Sequence, residues 1–273
     1  MDWSKAKNIL IIAFIVTNVF LVITIERNLF QEPNLPLPID KTVQGVIHVM
    51  EEKDIHIKTD IPRTMTPMPV LEVEYETYED EEIARLAYKE KDRDNGPKGQ
   101  FEVVNDKILI YAADGSSKVG VRIDSKKAQD RAEGFLKYYG FMKNDVDYWR
   151  TDFDGESYNV VFKQRYKGTF LEDSYMNIQV TELGDIQYFE RVWLRPINLG
   201  DSKNEIMPAT KALLKAIEKL NEIEGPKTII DVGVGYRFDP PSMQNAKSGT
   251  AFPVWRIALE EGTMIFIDAY ENH

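Results

Sequence analysis

From Ile9 to Ile25 the chain carries no charge, and its apolar residues surround a helical projection instead of lining one stripe. At 1.5 Å per residue, roughly 17 residues reach the lower limit for crossing a bilayer. A lone span must be apolar on every side, so the pattern predicts a transmembrane helix over 9–25. A buried core helix fits poorly at the N-terminus with nothing apolar beside it. Lys5 and Lys7 resemble the charged start of a signal peptide, but Ile25 runs into Glu26, Arg27, Asn28, Leu29 and Phe30 with no small-residue cleavage pattern. A retained anchor is therefore expected. The two lysines before the span against Arg27 after it place residues 1–8 in the cytoplasm. Everything beyond the span is then extracytoplasmic.

Residues 26–40 hold three prolines without helical periodicity and read as a stiff linker. Beyond it the pattern alternates between helical and strand periods. "DKTVQGVIHVMEEK" (40–53) is helical, with Val43, Ile47 and Met50 on one face. "DIHIKTDI" and "VLEVEYET" alternate as strands. "EDEEIARLAYKE" (79–90) is a short helix with acids at its positive end. "QFEVVNDKILIYAADGSSKVGVRI" reads as two or three antiparallel strands turning at Asn105-Asp106 and Asp114-Gly115. These form a first α+β domain, 41–123.

A second domain, 124–273, opens with an amphipathic helix whose buried face is Ala128, Ala132, Phe135, Leu136 and Tyr139, ended by Gly140. Strands "YNVVFKQRY", "YMNIQVTE" and "IQYFERVWL" follow it. "NEIMPATKALLKAIEKLNEI" (204–223) is another helix, followed by strands "TIIDVGVGYRF", "AFPVWRIALE" and "TMIFIDAYE". The recurrence of helix then antiparallel meander predicts an internal repeat, about 124–200 and 201–273. The expected class is α+β.

Net charge is −11 and pI about 4.9. An acidic chain of this kind does not suit nucleic acid, whose phosphates require clustered Lys and Arg. With no cysteine there is no disulfide, thiolate nucleophile or Cys-ligated metal. The three histidines, His48, His56 and His273, form no metal-binding or triad spacing. "DRDNG" and "DFDGE" lack the rest of a calcium loop and read as turns. The lone Gly-x-Gly at 233–235, inside a strand pattern, marks a bulge or a close packing neighbour rather than a nucleotide site. No catalytic residue, metal or cofactor is expected. Thr17, Asn18 and Thr24 are polar within the span. Each is either satisfied within its own helix or, in the case of Asn18, bonds another helix.

"MDWSKAKNILIIAF", "YKGTFLEDSYMNIQVTELGDIQYFERVWL" (166–194) and "FPVWRIAL" (252–259) resemble the YycI (WalI) family. The helix-then-meander plan is also similar to YycH and PepSY-like repeats. The resemblance implies a membrane accessory regulator of the YycG (WalK) sensor histidine kinase, which controls cell-wall metabolism in low-GC Gram-positive bacteria. It implies a YycH-like partner and helix contacts within the membrane. Carried onto this chain, Phe14, Thr17, Asn18 and Leu21 become partner-binding residues, with Asn18 the main polar contact. The alternative is an extracytoplasmic module that binds an envelope ligand and is tethered by its helix. An envelope glycosidase is a third class, but nothing selects one carboxylate pair among 45 acidic residues.

Overall fold

The computed structural model describes residues 39–93, 97–117, 120–238 and 246–271, together with Phe14 and Asn18. The expected span over 9–25, apart from those two residues, and the linker as far as residue 38 lie outside the described residues. Among the described residues no helix is long and apolar enough to cross a membrane. The chain divides into two compact units, Met1–Val49 and Met50–His273. Helix α1 (Ile39–Glu51) lies mainly in the first.

The second unit is an α+β structure. Its strands are β1 (Ile55–Ile57), β2 (Leu71–Tyr75), β3 (Gly99–Val104), β4 (Ile108–Ala113), β5 (Val146–Phe153), β6 (Ser157–Tyr166), β7 (Thr169–Thr181), β8 (Ile186–Val192), β9 (Leu194–Leu199), β10 (Lys227–Phe238), β11 (Ser248–Leu259) and β12 (Met264–Asp268). Its helices are α2 (Asp80–Asp92), α3 (Ser125–Tyr139) and α4 (Ala209–Asn221). All twelve strands belong to one sheet, whose central path runs β3-β4-β8-β7-β10-β11-β2-β9. Among the described residues every pairing is antiparallel except β1 with β10 and β7 with β10.

Local sequence explains the elements. Leu71, Val73 and Tyr75 alternate inward along β2. Asn105 and Asp106 both take left-handed backbone (φ 53° and 61°). That is the twist a two-residue hairpin needs to return β3 into β4. Asp124 caps α3 by accepting the Lys127 N–H at 2.8 Å, and Gly140 ends it at φ 83°. The five expected core residues of α3 are its buried ones. They pack on Leu109, Tyr111, Phe162, Met176, Ile178 and Phe189 of the sheet. Each buried Leu or Phe there contributes about 1.5–3 kcal/mol of transfer free energy. Helix α4 covers the apolar face of β11 and β12.

Three details differ from the pattern-based expectation. The sequence pattern predicts neither β5 nor β9. β5 is broken by a bulge between Tyr148 and Arg150, which erases its alternation. β9 is a short edge strand containing Pro196. The stretch 120–123 is no strand. The Ile123 N–H bonds the Glu182 carbonyl at 2.8 Å and leads straight into the Asp124 cap. Helix α4 starts at Ala209 and not at 204, because Pro208 disfavours helical backbone at Met207.

Candidate functional site

Of the four residues expected to meet a partner helix, Phe14 and Asn18 are described, and both are helical and exposed. The Asn18 side-chain amide donates to the Phe14 carbonyl at 2.8 Å. One N–H is thus satisfied within its own helix, leaving the second N–H and the amide oxygen. Thr17 and Leu21 lie outside the described residues.

Inside the second unit the sheet buries charge where β6, β7, β10 and β11 meet. Lys163, Glu172 and Arg256 are 4%, 6% and 4% exposed. Glu172 accepts from Lys163 Nζ at 2.6 Å on one oxygen and from Arg256 Nη1 at 2.5 Å on the other. Arg256 turns its remaining edge to Asp231 Oδ2, from Nη2 at 2.8 Å and Nε at 3.1 Å. Two cations and two carboxylates therefore cancel. Aromatic faces close the cluster: the Arg256 guanidinium lies 4.7 Å from the Trp149 ring centroid and 4.8 Å from that of Phe170. Burial lowers the pKa of Lys163, and the Glu172 carboxylate opposes that shift.

The cluster explains Gly-x-Gly. A Cβ on Gly235 would stand 2.2 Å from Glu172 Oε1, and one on Gly233 would stand 2.9 Å from Arg256 Nη2. The glycines make room for a charge knot, as close packing neighbours. Sequence reading did not single out Lys163, Glu172, Arg256 or Asp231. Their signal was a charge at an inward position of apolar strands, as in "VVFKQ" and "VWRIAL".

A second knot ties α2 to β3, β4 and α3. Glu90, 3% exposed, accepts from Arg93 at 2.8 and 2.9 Å, the Gly99 N–H at 2.9 Å and Tyr111 OH at 3.2 Å, and also from Tyr139 OH. Burial alone would raise its pKa, but the bonds from Arg93 and Tyr139 outweigh it and the net shift is downward. Nearby, Arg191 is 1% exposed. It donates to Glu76 at 2.9 Å and to Tyr78, between the rings of Phe141 and Trp193. Glu90 and its donors satisfy one another, whereas the buried Nε of Arg191 has no hydrogen-bond partner among the described residues. Neither Glu172 nor Glu90 lines any of four surface grooves. Among the described residues no set of three His, Asp or Glu side chains is placed to hold a metal. The "DFDGE" stretch ends β5 and enters a turn, in which Asp154 accepts the N–H groups of Glu156 and Ser157.

Buried tyrosines give an alkaline signature. Burial pushes Tyr78, Tyr188 and Tyr236 up to about 12, and it also raises Tyr111, Tyr139 and Tyr175. Carboxylates add to the shift at Tyr139, Tyr175 and Tyr188. A raised folded-state pKa gives stability that is complete below the unfolded value, about 10, and is lost as pH climbs through the folded value. Tyr75 and Tyr270 are raised by burial as well, and Lys163 acts in the opposite sense, one group against eight. The urea midpoint should hold to about pH 9 and fall steeply between about pH 10 and 12. A midpoint that does not change across that range would show the hydroxyls to be solvated.

The fold and these knots define an α+β protein built on one antiparallel-dominated sheet, with its polar chemistry turned inward. The chain belongs to the YycI protein family, which it matches over residues 38–270. No curated protein matches it. Among solved structures it is similar to the C-terminal domain of Bacillus megaterium YpeB, at 11% identity and a TM-score of 0.39, covering 85% of this chain and 92% of that one.

Proposed function

We propose that this chain is a membrane-anchored accessory regulator of a YycG (WalK)-type sensor histidine kinase, acting with a YycH-like partner. Family membership over 38–270 is the observation that carries the reading. The uncharged run 9–25 supports it by offering an anchor. In this reading the N-terminus is cytoplasmic, and the helix meets kinase helices through Phe14, Thr17, Asn18 and Leu21. The extracytoplasmic domains, 41–123 and the repeated units of 124–273, dock the partners. The helix biases the kinase by packing better against one of its two states, a coupling of about 1–3 kcal/mol. Asn18 contributes about 0.6 kcal/mol of that through its free amide groups.

The test is a strain lacking this protein, complemented with the full chain, with Asn18→Leu, or with residues 26–273 on an unrelated single-span anchor. Phosphorylation of the partner response regulator is the readout. Loss of control on swapping the anchor, with a partial shift for Asn18→Leu, is expected. Full function of the swapped anchor would reduce the helix to a tether.

A further inference from the structure

We propose that a groove beside the 62–69 loop docks an extended acidic-apolar segment of a protein partner. This goes beyond the regulatory reading and does not require it. The groove encloses about 500 Å³, a size that receives a few side chains. Its apolar lining comes from Met65, Met68, Tyr166, Leu199, Ile206 and Tyr236. Among the described residues its only charged lining residues are Lys167 and Lys203. No carboxylate lines it among the described residues, although the whole chain carries a net charge of −11. Lys167 sits 5.3 Å from the Tyr166 ring centroid, and neither lysine is paired with an acid among the described residues. The groove thus presents these two cations on an acidic protein, with Glu205 and Glu271 confined to the adjoining groove beyond Met65 and Ile206, and it favours an acidic ligand.

The wall is fixed at one end and open at the other. Met68 and Asn204 exchange backbone bonds at 3.0 and 3.1 Å. Tyr236 OH donates to the Pro69 carbonyl at 3.0 Å, and Tyr270 OH donates to the Met68 carbonyl at 2.8 Å. Ahead of these anchors Thr64, Met65 and Thr66 are exposed. Their backbone groups take part in no hydrogen bond among the described residues. An extended peptide uses such groups by pairing alongside them, whereas a lipid acyl chain has no use for them. Met65 and Met68 supply an apolar surface that adapts to different side chains. The observations therefore favour a peptide over a membrane surface.

The experiment uses the full chain in phosphatidylcholine nanodiscs, without kinase, so that failure here is separate from failure of the regulatory reading. The probes are short fluorescein-labelled peptides of alternating Glu and Leu, of Lys and Leu, and of Glu and Ser, together with phosphatidylglycerol vesicles. Saturable binding of the Glu–Leu peptide alone is expected, weakened about tenfold by Lys167→Asn with Lys203→Glu. Met65→Ser should weaken it as well. Circular dichroism melts confirm that the variants fold, and Lys203→Glu alone, on an exposed loop, gives a second reading. Equal binding of the Lys–Leu peptide, or binding unchanged by the lysine substitutions, would overturn the proposal. Lysine-dependent binding to the vesicles but not to the peptide would also overturn it, and would assign the groove to an anionic headgroup.

Discussion

Replacing Glu172 by alanine is expected to lower the free energy of unfolding by about 3–5 kcal/mol, because it strands two buried cations. Lys163 and Arg256 would face each other across the gap, with Asp231 in contact with Arg256 alone and Asp173 acting on Lys163 without a direct bond. Desolvation, not the lost Coulomb attraction, sets that magnitude. Gly235→Ala should cost nearly as much, since its Cβ would occupy space 2.2 Å from Glu172 Oε1. The combined change Lys163→Met, Glu172→Leu and Arg256→Met removes the three buried charges together and leaves only the half-exposed Asp231, so it should recover most of the stability. Urea titration of the four proteins decides the matter. A loss below about 1 kcal/mol for Glu172→Ala would mean that water reaches the cluster.

Glu90→Ala is expected to cost about 3 kcal/mol, with a local signature. It removes the one acceptor shared by Arg93, Tyr111, Tyr139 and the Gly99 N–H. Those donors are buried or half-buried, and several would be left without a partner. Amide exchange should accelerate along Gly99–Val104 and in α2, while β10 and β11 keep their protection. Acid should mimic the substitution. Because Glu90 is held below its ordinary range, its contribution is present above about pH 4.3 and is lost as pH falls through the folded value. Unchanged exchange at Gly99–Val104 would show that β3 is held by its pairing with β4 alone.

Helix α3 was legible residue by residue, because its core face, Asp124 cap and Gly140 stop agree with one another. The β3–β4 hairpin was equally plain, since Asn105-Asp106 between alternating runs has a single economical geometry. β5 was not legible, because its bulge breaks the period on which strand reading depends. Nor did sequence spacing reveal which strands neighbour which. β2 lies between β9 and β11, and no local signal in "LEVEY" names either neighbour. The Glu172 knot was half legible. Gly-x-Gly announced a close neighbour, but a charged side chain as that neighbour follows only from register. At the N-terminus, Asn18 was singled out as a polar residue within the span. Its bond to the Phe14 carbonyl leaves it less to offer another helix than an unengaged amide would have.

The placement of β2 also bears on how the chain is made. Leu71–Tyr75 leaves the ribosome early, yet both of its partners, Leu194–Leu199 and Ser248–Ala251, come late. During synthesis this amphipathic strand gains its first edge only when β9 emerges and its second only with β11. Closure of the sheet around β2 therefore waits for β11, and such long-range pairing makes folding slow and leaves an adhesive nascent intermediate. The β11–β12 hairpin, Ser248 to Asp268, is in this sense the step that commits the sheet. A chain cut short before it would keep β6–β8 and α3 and leave Leu71, Val73 and Tyr75 without their second wall. Such a chain should be a preferred client of holding chaperones and quality-control proteases.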